Sequence, residues 1–137
     1  MDKIPRRPDL PPPLADWFAA RGWRPRPHQL AVLQRAWAGH SVLLTAPTGG
    51  GKTLAGFLPS LCDLMGDAGA AQRNDRLHTL YLSPLKALAV DVRRNLEAPI
   101  AEMAVPIRVE SRTGDTPQSR RQRQRRKPPH ILLTTPE

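Results

Sequence analysis

Cysteine, acidic residues and long apolar runs are all scarce in this chain of 137 residues, and each shortage excludes a class of protein. The single cysteine, Cys62, rules out an internal disulfide and a cysteine-based metal cluster, which fits a reducing compartment. No apolar stretch approaches the roughly 20 residues that cross a bilayer. Residues 1–13 are charged and proline-rich, without the apolar core of a secretory signal. We therefore expect a soluble cytoplasmic protein.

The shortage of acidic residues leaves the chain strongly basic. Only 12 Asp and Glu stand against 21 Lys and Arg, which gives a formal net charge of +9. This balance favours a polyanionic partner, although many soluble domains carry a similar excess without binding one. The length suits one domain with a modest core. Cys62 is predicted to be a core thiol rather than a nucleophile, because it lies among Leu58, Leu61 and Leu64 at helical spacing.

A glycine-rich loop is the most informative segment that the chain does contain. Residues 46–53 read APTGGGKT, after the apolar run 41–45 and before the helix-like stretch 54–58. Glycines without a Cβ let consecutive N–H groups converge on a phosphate, and the positive end of the next helix faces the same space. This is the context of a P-loop, although Ala46 replaces the first glycine of the general pattern. A simple glycine-rich turn with an exposed lysine is the plainer alternative.

The P-loop interpretation assigns a role to each residue of the loop. Lys52 would reach the β- and γ-phosphates, and the Thr53 hydroxyl would bind Mg²⁺. The predicted phosphate-binding residues are Thr48, Gly49, Gly50, Gly51, Lys52 and Thr53.

Strands that alternate with helices predict an α/β fold with a parallel sheet and helices on both faces. Residues 1–13 form an extended proline-rich arm in this interpretation, and residues 14–137 form the domain. The predicted helices cover 14–21, 27–39, 54–65 with a kink at Pro59, 85–96, and an arginine-rich segment opened by Thr116 as N-cap and Pro117. The predicted strands cover 41–45, 79–82, 107–110 and 131–134. Residues 135–137 resemble the opening of a further helix.

The ordered motifs resemble the first RecA-like domain of superfamily 2 helicases, in particular the large helicase-related (Lhr) family and its ligase-associated DEXH-box branch. The segments that carry the resemblance are WFAARGWRPRPHQ at 17–29 (the Q-motif region), APTGGGKT at 46–53 (motif I), YLSPLKAL at 81–88 (motif Ia), RTGDT at 112–116 (motif Ib) and LTTPE at 133–137 (motif Ic). Motif I includes the alanine that departs from the general P-loop. The resemblance covers nearly the whole chain.

The resemblance implies roles for further residues. Gln29 would hydrogen-bond the adenine of ATP, because a carboxamide matches the donor and acceptor of that base; the alternative is an exposed residue in a helix's first turn. The loops of motifs Ia, Ib and Ic would hold the backbone of a nucleic-acid strand. Their predicted contact residues are Ser83, Pro84, Lys86, Arg112, Thr113, Gly114, Thr134, Thr135 and Glu137. Taken alone, each of these loops is also an ordinary surface turn.

The arginine-rich helix has two open interpretations. Six of the eight residues 120–127 are Arg or Lys, and none has an acidic partner four residues away in the helix. The helix could contact a duplex or a tail strand. It could equally be a solvated outer face.

One family feature is missing from the sequence. The resemblance implies a D-E-x-H strand end that binds Mg²⁺ and orients the attacking water, but no Asp-Glu pair occurs in the chain. We therefore interpret the chain as the front part of an ATP-dependent 3′–5′ DNA helicase or translocase of DNA repair, inactive alone. A bacterial, nucleoid-associated location, a single-stranded or tailed DNA substrate, and DNA ligase and repair nuclease partners follow from the resemblance. The alternatives are a binding module that does not hydrolyse ATP and, less compatible with motifs Ia to Ic, an unrelated P-loop enzyme such as a kinase.

Overall fold

The computed structural model describes residues 9–47, 51–66 and 76–136, which contain five helices and three strands. The helices are α1 (Pro12–Ala20), α2 (Pro27–Trp37), α3 (Lys52–Met65), α4 (Lys86–Glu102) and α5 (Gln118–Arg126). The strands are β1 (Thr79–Leu82), β2 (Val109–Arg112) and β3 (Ile131–Thr134). The chain divides into two compact units, Met1–Asp63 and Leu64–Glu137.

In the first unit, proline starts the helices α1 and α2, and glycine ends them. Proline at the first helical position loses no hydrogen bond, because that N–H has no partner inside a helix. After α1, Gly22 adopts φ +66°, and the Trp23 N–H donates to the Phe18 carbonyl at 2.9 Å. After α2, Gly39 adopts φ +83° in the same arrangement. Helix α1 begins at Pro12, so the last two residues of the predicted arm are helical, while residues 1–8 lie outside the described part.

Helix α3 contributes buried apolar side chains to the core of the first unit. Ala55, Leu58, Leu61 and Cys62 recur at helical spacing and are at most 3% exposed. The helix includes Pro59 without a break in its assignment. The core position predicted for Cys62 is therefore confirmed.

The strand predicted at 41–45 is wrong. Residues 40–47 carry no regular secondary structure, and the Leu43 side chain is 90% exposed. A strand requires a neighbour that accepts and donates backbone hydrogen bonds. The described sheet takes all three of its strands from residues 79–134, so an apolar run alone was an insufficient signal.

The second unit is built on a parallel sheet in the order β1-β3-β2. The central strand β3 pairs with both neighbours, with Thr134 in register with Leu82 on one side and Arg112 on the other. Its Ile131 and Leu133 side chains are fully buried, as the central position requires. Helix α4 packs on β2 and β3 and buries Ala89, Val92, Leu96 and Ile100. The predicted parallel α/β architecture is confirmed.

Three element boundaries in this unit differ from the predicted ones. Helix α4 extends six residues beyond the predicted end, to Glu102, and includes Pro99. Strand β2 begins at Val109 instead of Ile107, although Ile107 is buried just before it. Thr116 is not the N-cap of α5, because its hydroxyl accepts the Thr113 N–H at 2.9 Å and Pro117 occupies the cap position.

Candidate functional site

In the first unit, Gln29 links the start of α2 to the residue that precedes α3. Its Oε1 accepts the Arg26 N–H at 2.9 Å, and its Nε2 donates to the Gly51 carbonyl at 3.3 Å. Only 4% of Gln29 is exposed. The alternative of an ordinary exposed residue is therefore wrong for Gln29. That its carboxamide also hydrogen-bonds adenine stays a prediction.

Gln29 and Gly51 line a cavity of about 430 Å³, together with Phe18, Gly22, Trp23, Arg24, Arg26 and Leu54. This volume lies in the range of small-molecule sites, roughly 300–1,000 Å³. Apolar and aromatic side chains with a few convergent polar groups are typical of such sites. A planar base could stack on an aromatic ring of this lining and meet the amide edge of Gln29.

Sequence reasoning assigned no role to the aromatic and basic residues of this cavity. Trp23 is 53% exposed although it is large and apolar, and the Arg21 guanidinium lies 5.2 Å from the centre of its ring. The same guanidinium lies 4.8 Å from the centre of the Trp17 ring, so Arg21 makes cation–π contacts with both tryptophans. A signal for Trp23 was present, since it is one of only three tryptophans and lies between Gly22 and Pro25.

The P-loop residues that the structure describes lie at the start of α3. Gly51 adopts φ +75°, and Lys52 and Thr53 follow it as exposed first residues of the helix. A helix N-terminus presents unpaired N–H groups and a partial positive charge, to which Lys52 adds a full charge. Thr48, Gly49 and Gly50 lie outside the described residues.

In the second unit, the predicted contact residues of motifs Ia, Ib and Ic meet at the carboxyl end of the sheet. The Ser83 N–H donates to the Thr134 carbonyl at 2.9 Å, and the Thr134 hydroxyl donates to the Arg112 carbonyl at 2.6 Å. Parallel strands place their following loops at one edge, which is where ligands bind in such sheets. The structure therefore brings together loops that lie up to about 50 residues apart in the chain.

The hydroxyl groups at this edge are largely engaged within the protein. Ser83 is fully buried, and its hydroxyl donates to the Leu85 carbonyl at 3.0 Å. Thr135 is 4% exposed, and its hydroxyl has no hydrogen-bond partner among the described residues. Pro84 and Gly114 are exposed, and Glu137 lies outside the described part. Contacts from this edge would therefore come from backbone groups and charged side chains more than from the Ser83 hydroxyl.

Motifs Ia and Ib are joined by a surface ion pair. The Lys86 Nζ lies 2.9 Å from the Asp115 carboxylate, and 44% and 81% of these side chains are exposed. Exposed pairs of this kind contribute at most about 1 kcal/mol, so Lys86 can exchange Asp115 for a phosphate at little cost. The loop 113–116 is also held from α5, because Arg121 donates to the carbonyls of Thr113 and Thr116 at 2.7 and 3.1 Å.

The thiol of Cys62 takes no part in either group of residues. Burial, with a further contribution from the charge of Asp63, raises the pKa of the Cys62 thiol to about 12. A thiol that stays protonated is a poor nucleophile and a poor metal ligand.

Within the described residues, no three His, Cys, Asp or Glu side chains are placed to hold a metal ion. None of the helices described here has the length and apolar character of a membrane span.

Comparison with known proteins identifies the family to which this chain belongs. The sequence profile of the DEAD/DEAH box helicase family matches residues 26–137. The chain is 39% identical to the ATP-dependent helicase Lhr-Core of Methanocaldococcus jannaschii over 138 aligned residues, which cover 93% of this chain and 16% of that protein. The chain thus spans about one sixth of the length of this curated relative.

Two solved helicase structures share the fold. The Mycobacterium smegmatis helicase Lhr bound to ssDNA and AMP-PNP superposes with a TM-score of 0.77 and 36% identity, over 93% of this chain and 17% of that one. The DUF1998 helicase MrfA bound to DNA and AMPPNP gives a TM-score of 0.79 and 33% identity, over 97% and 17%. The resemblance drawn from the motifs, to superfamily 2 helicases of the Lhr type, is confirmed.

Proposed function

Because the chain belongs to the DEAD/DEAH box helicase family, we propose that it carries the ATP-binding residues and strand-binding loops of an ATP-dependent DNA helicase of the Lhr type. The observation that carries this proposal is Gln29, a buried carboxamide at a cavity that also contains the last glycine of the P-loop. A buried polar side chain beside a phosphate-binding turn is suited to select a base while the turn holds its phosphates.

The residues described at the site fit ATP and Mg²⁺ by their chemistry. Gln29 and the aromatic lining would hold the base, the N–H groups around Gly51 and the N-terminus of α3 would hold the phosphates, and Lys52 would neutralise their charge. Among the loop residues that the structure describes, Thr53 has an exposed hydroxyl that could meet Mg²⁺. When bound, the metal would neutralise charge on the β- and γ-phosphates.

The carboxyl edge of the sheet is the proposed strand-binding surface. Motifs Ia, Ib and Ic converge there, and Lys86 and Arg112 bring positive charge to it. We take single-stranded DNA or a tailed duplex as the substrate, since the Lhr structure above is bound to ssDNA and the MrfA structure to DNA. A 3′–5′ direction, a role in DNA repair, and DNA ligase and nuclease partners extend this proposal from the motif resemblance.

A second candidate function is a module that binds nucleotide and nucleic acid without hydrolysis. The observation that favours it is that the described site residues, the buried Gln29 and the exposed Lys52 at the start of α3, are suited to binding and serve this candidate as well as the first. The two candidates share one binding site and differ only in turnover.

Base selectivity tests the proposal at Gln29. ATP should compete better than GTP for the chain, and Gln29→Ala should abolish this preference, because a well-formed pair with the base is worth about 1–3 kcal/mol. Fluorescent-nucleotide displacement gives both affinities. Gln34→Ala is the matched control, since Gln34 lies on the same helix outside the cavity lining.

Gln29 also holds Arg26 and Gly51, so its loss could loosen the helix. Circular dichroism melting of both variants separates loss of folding from loss of selectivity. Equal affinities for ATP and GTP in the unmodified chain would contradict the assignment of Gln29 to the base.

A further inference from the structure

The basic residues of the arginine-rich helix α5 divide into two groups in the structure. Arg121 and Arg123 are bound within the protein, Arg121 by the carbonyls of the loop 113–116 and Arg123 by the Glu110 carboxylate. The remaining arginines of the helix, and Lys127 directly after it, are all exposed, and we call them the outer basic group. This group consists of Arg120, Arg125, Arg126 and Lys127.

The side-chain bonds that hold α5 against the rest of the second unit are polar ones, made by Arg121, Arg123 and Gln124. Its sequence, QSRRQRQRR, contains no apolar side chain, so no hydrophobic face explains its position. Gln124 is the buried residue of the helix: it is 5% exposed, and its Nε2 donates to the Ser111 carbonyl at 3.1 Å. Together with Arg121 and Arg123, this contact fixes which residues of the helix face outward.

Neither acidic side chain of residues 105–136 is left to balance the outer basic group. Residues 105–136 contain two acidic residues, Glu110 and Asp115, and these pair with Arg123 and Lys86. Favourable placement in the last turn accounts for Arg125 and Arg126, because cations stabilise a helix C-terminus. It does not account for Arg120, which lies in the first turn, where the helix dipole opposes a positive charge.

We propose that the outer basic group binds the phosphate backbone of a nucleic acid next to the strand-binding edge. The covalent link through residues 113–117 and the bonds from Arg121 tie this surface to the loop of motif Ib. Arginine suits the task because its planar guanidinium binds phosphate oxygens in pairs and keeps its charge. The inference rests on the proposed function, since it assumes that a nucleic acid lies at the adjacent loops.

Salt dependence of binding tests this assignment. Log affinity should fall linearly with log salt, by about 0.7 per neutralised phosphate on a single strand and about 0.9 on a duplex. Replacing Arg120, Arg125 and Arg126 with glutamine should reduce that slope by about two, because about three phosphate contacts are lost. Glutamine has a helix propensity close to that of arginine, so the substitution tests charge.

A charge-matched control separates local contact from overall charge. Arg35, Arg76 and Arg94 are exposed and lie outside α5, and their triple replacement by glutamine removes the same three charges. Titrations with a single-stranded oligonucleotide and with a duplex identify the form that is bound. A flatter slope confined to the α5 variant, on either nucleic acid, supports the proposal.

Equal slopes for the α5 variant and the control on both nucleic acids would overturn the proposal, and so would binding that is insensitive to salt in the unmodified chain. ATP affinity is measured on the same variants. If it is retained while the slopes are equal, only the assignment of α5 fails; if the unmodified chain binds no ATP, the proposed function fails independently.

Discussion

At the scale of single residues, the proposed nucleotide site contains one close contact between Gln29 and Gly51. Gly51 has φ +75°, a conformation that L side chains rarely adopt, and a Cβ added to it would lie 2.7 Å from Gln29 Nε2. Glycine is therefore required at position 51 for two reasons: its backbone angle, and the space that the Gln29 carboxamide occupies. The P-loop pattern accounts for a glycine here, while the close approach of Gln29 is visible only in the folded chain.

Gly51→Ala should weaken ATP binding and lower the free energy of unfolding by about 1–2 kcal/mol, because the left-handed backbone is strained for alanine. Thermal melting and ATP titration measure the two effects. Gly56→Ala is the matched control: a Cβ at Gly56, within α3, meets nothing within 4 Å, so helix propensity should make this variant about 0.5–1 kcal/mol more stable. Unchanged melting and affinity in Gly51→Ala would show that the turn rearranges freely.

At the scale of elements, three helices end in the same way. The residue two positions beyond the last helical residue is Gly22 after α1 and Gly39 after α2, both with positive φ. After α4 the same position is Ala104, with φ 53°, and the Val105 N–H donates to the Ile100 carbonyl at 3.4 Å. This is the Schellman arrangement, in which glycine is preferred because it has no Cβ to strain the left-handed residue.

Ala104→Gly should therefore stabilise the protein, by about 1 kcal/mol. Ala98→Gly, at an exposed position inside α4, should do the reverse by about 0.5–1 kcal/mol, because glycine loses more backbone entropy in a helix. Chemical denaturation of both variants gives the sign of each change in the free energy of unfolding. A loss of stability in Ala104→Gly as large as that in Ala98→Gly would argue against the left-handed cap.

At the scale of the whole molecule, the question is whether this chain can hydrolyse the nucleotide that it is proposed to bind. Its residues match the family over 26–137, but the sequence contains no Asp-Glu pair for the D-E-x-H strand end that the motif resemblance implies. Binding uses the turn, the helix N-terminus and Lys52, whereas hydrolysis also needs a group that orients water and charge that stabilises the transition state. Binding and turnover should therefore separate in this chain.

The purified chain should bind ATP without DNA-stimulated hydrolysis, since the sequence contains no Asp-Glu pair to orient the attacking water. Phosphate release with and without single-stranded DNA measures turnover, and nucleotide titration measures binding. Lys52→Ala should weaken binding without changing the background rate. Robust hydrolysis that disappears in Lys52→Ala would show that other residues of this chain supply the missing chemistry.

The sequence by itself determined those features that depend on neighbours along the chain. Proline and glycine marked the limits of α1 and α2, the alternation of apolar runs with helices gave the parallel architecture, and the order of the motifs identified the family. Each of these rests on backbone angles, local periodicity or a short contiguous pattern, which a linear sequence records directly.

The tertiary structure decided everything that depends on which distant groups meet. It buried Gln29 against Gly51, engaged the Ser83 hydroxyl with Leu85, and bound Arg121 and Arg123, but not the other arginines of the same helix, to groups of the protein. It also left the apolar run at 41–45 without a strand pairing in the described sheet. Burial, hydrogen-bond partners and ladder neighbours come from residues far apart in the chain, so composition and spacing could not specify them.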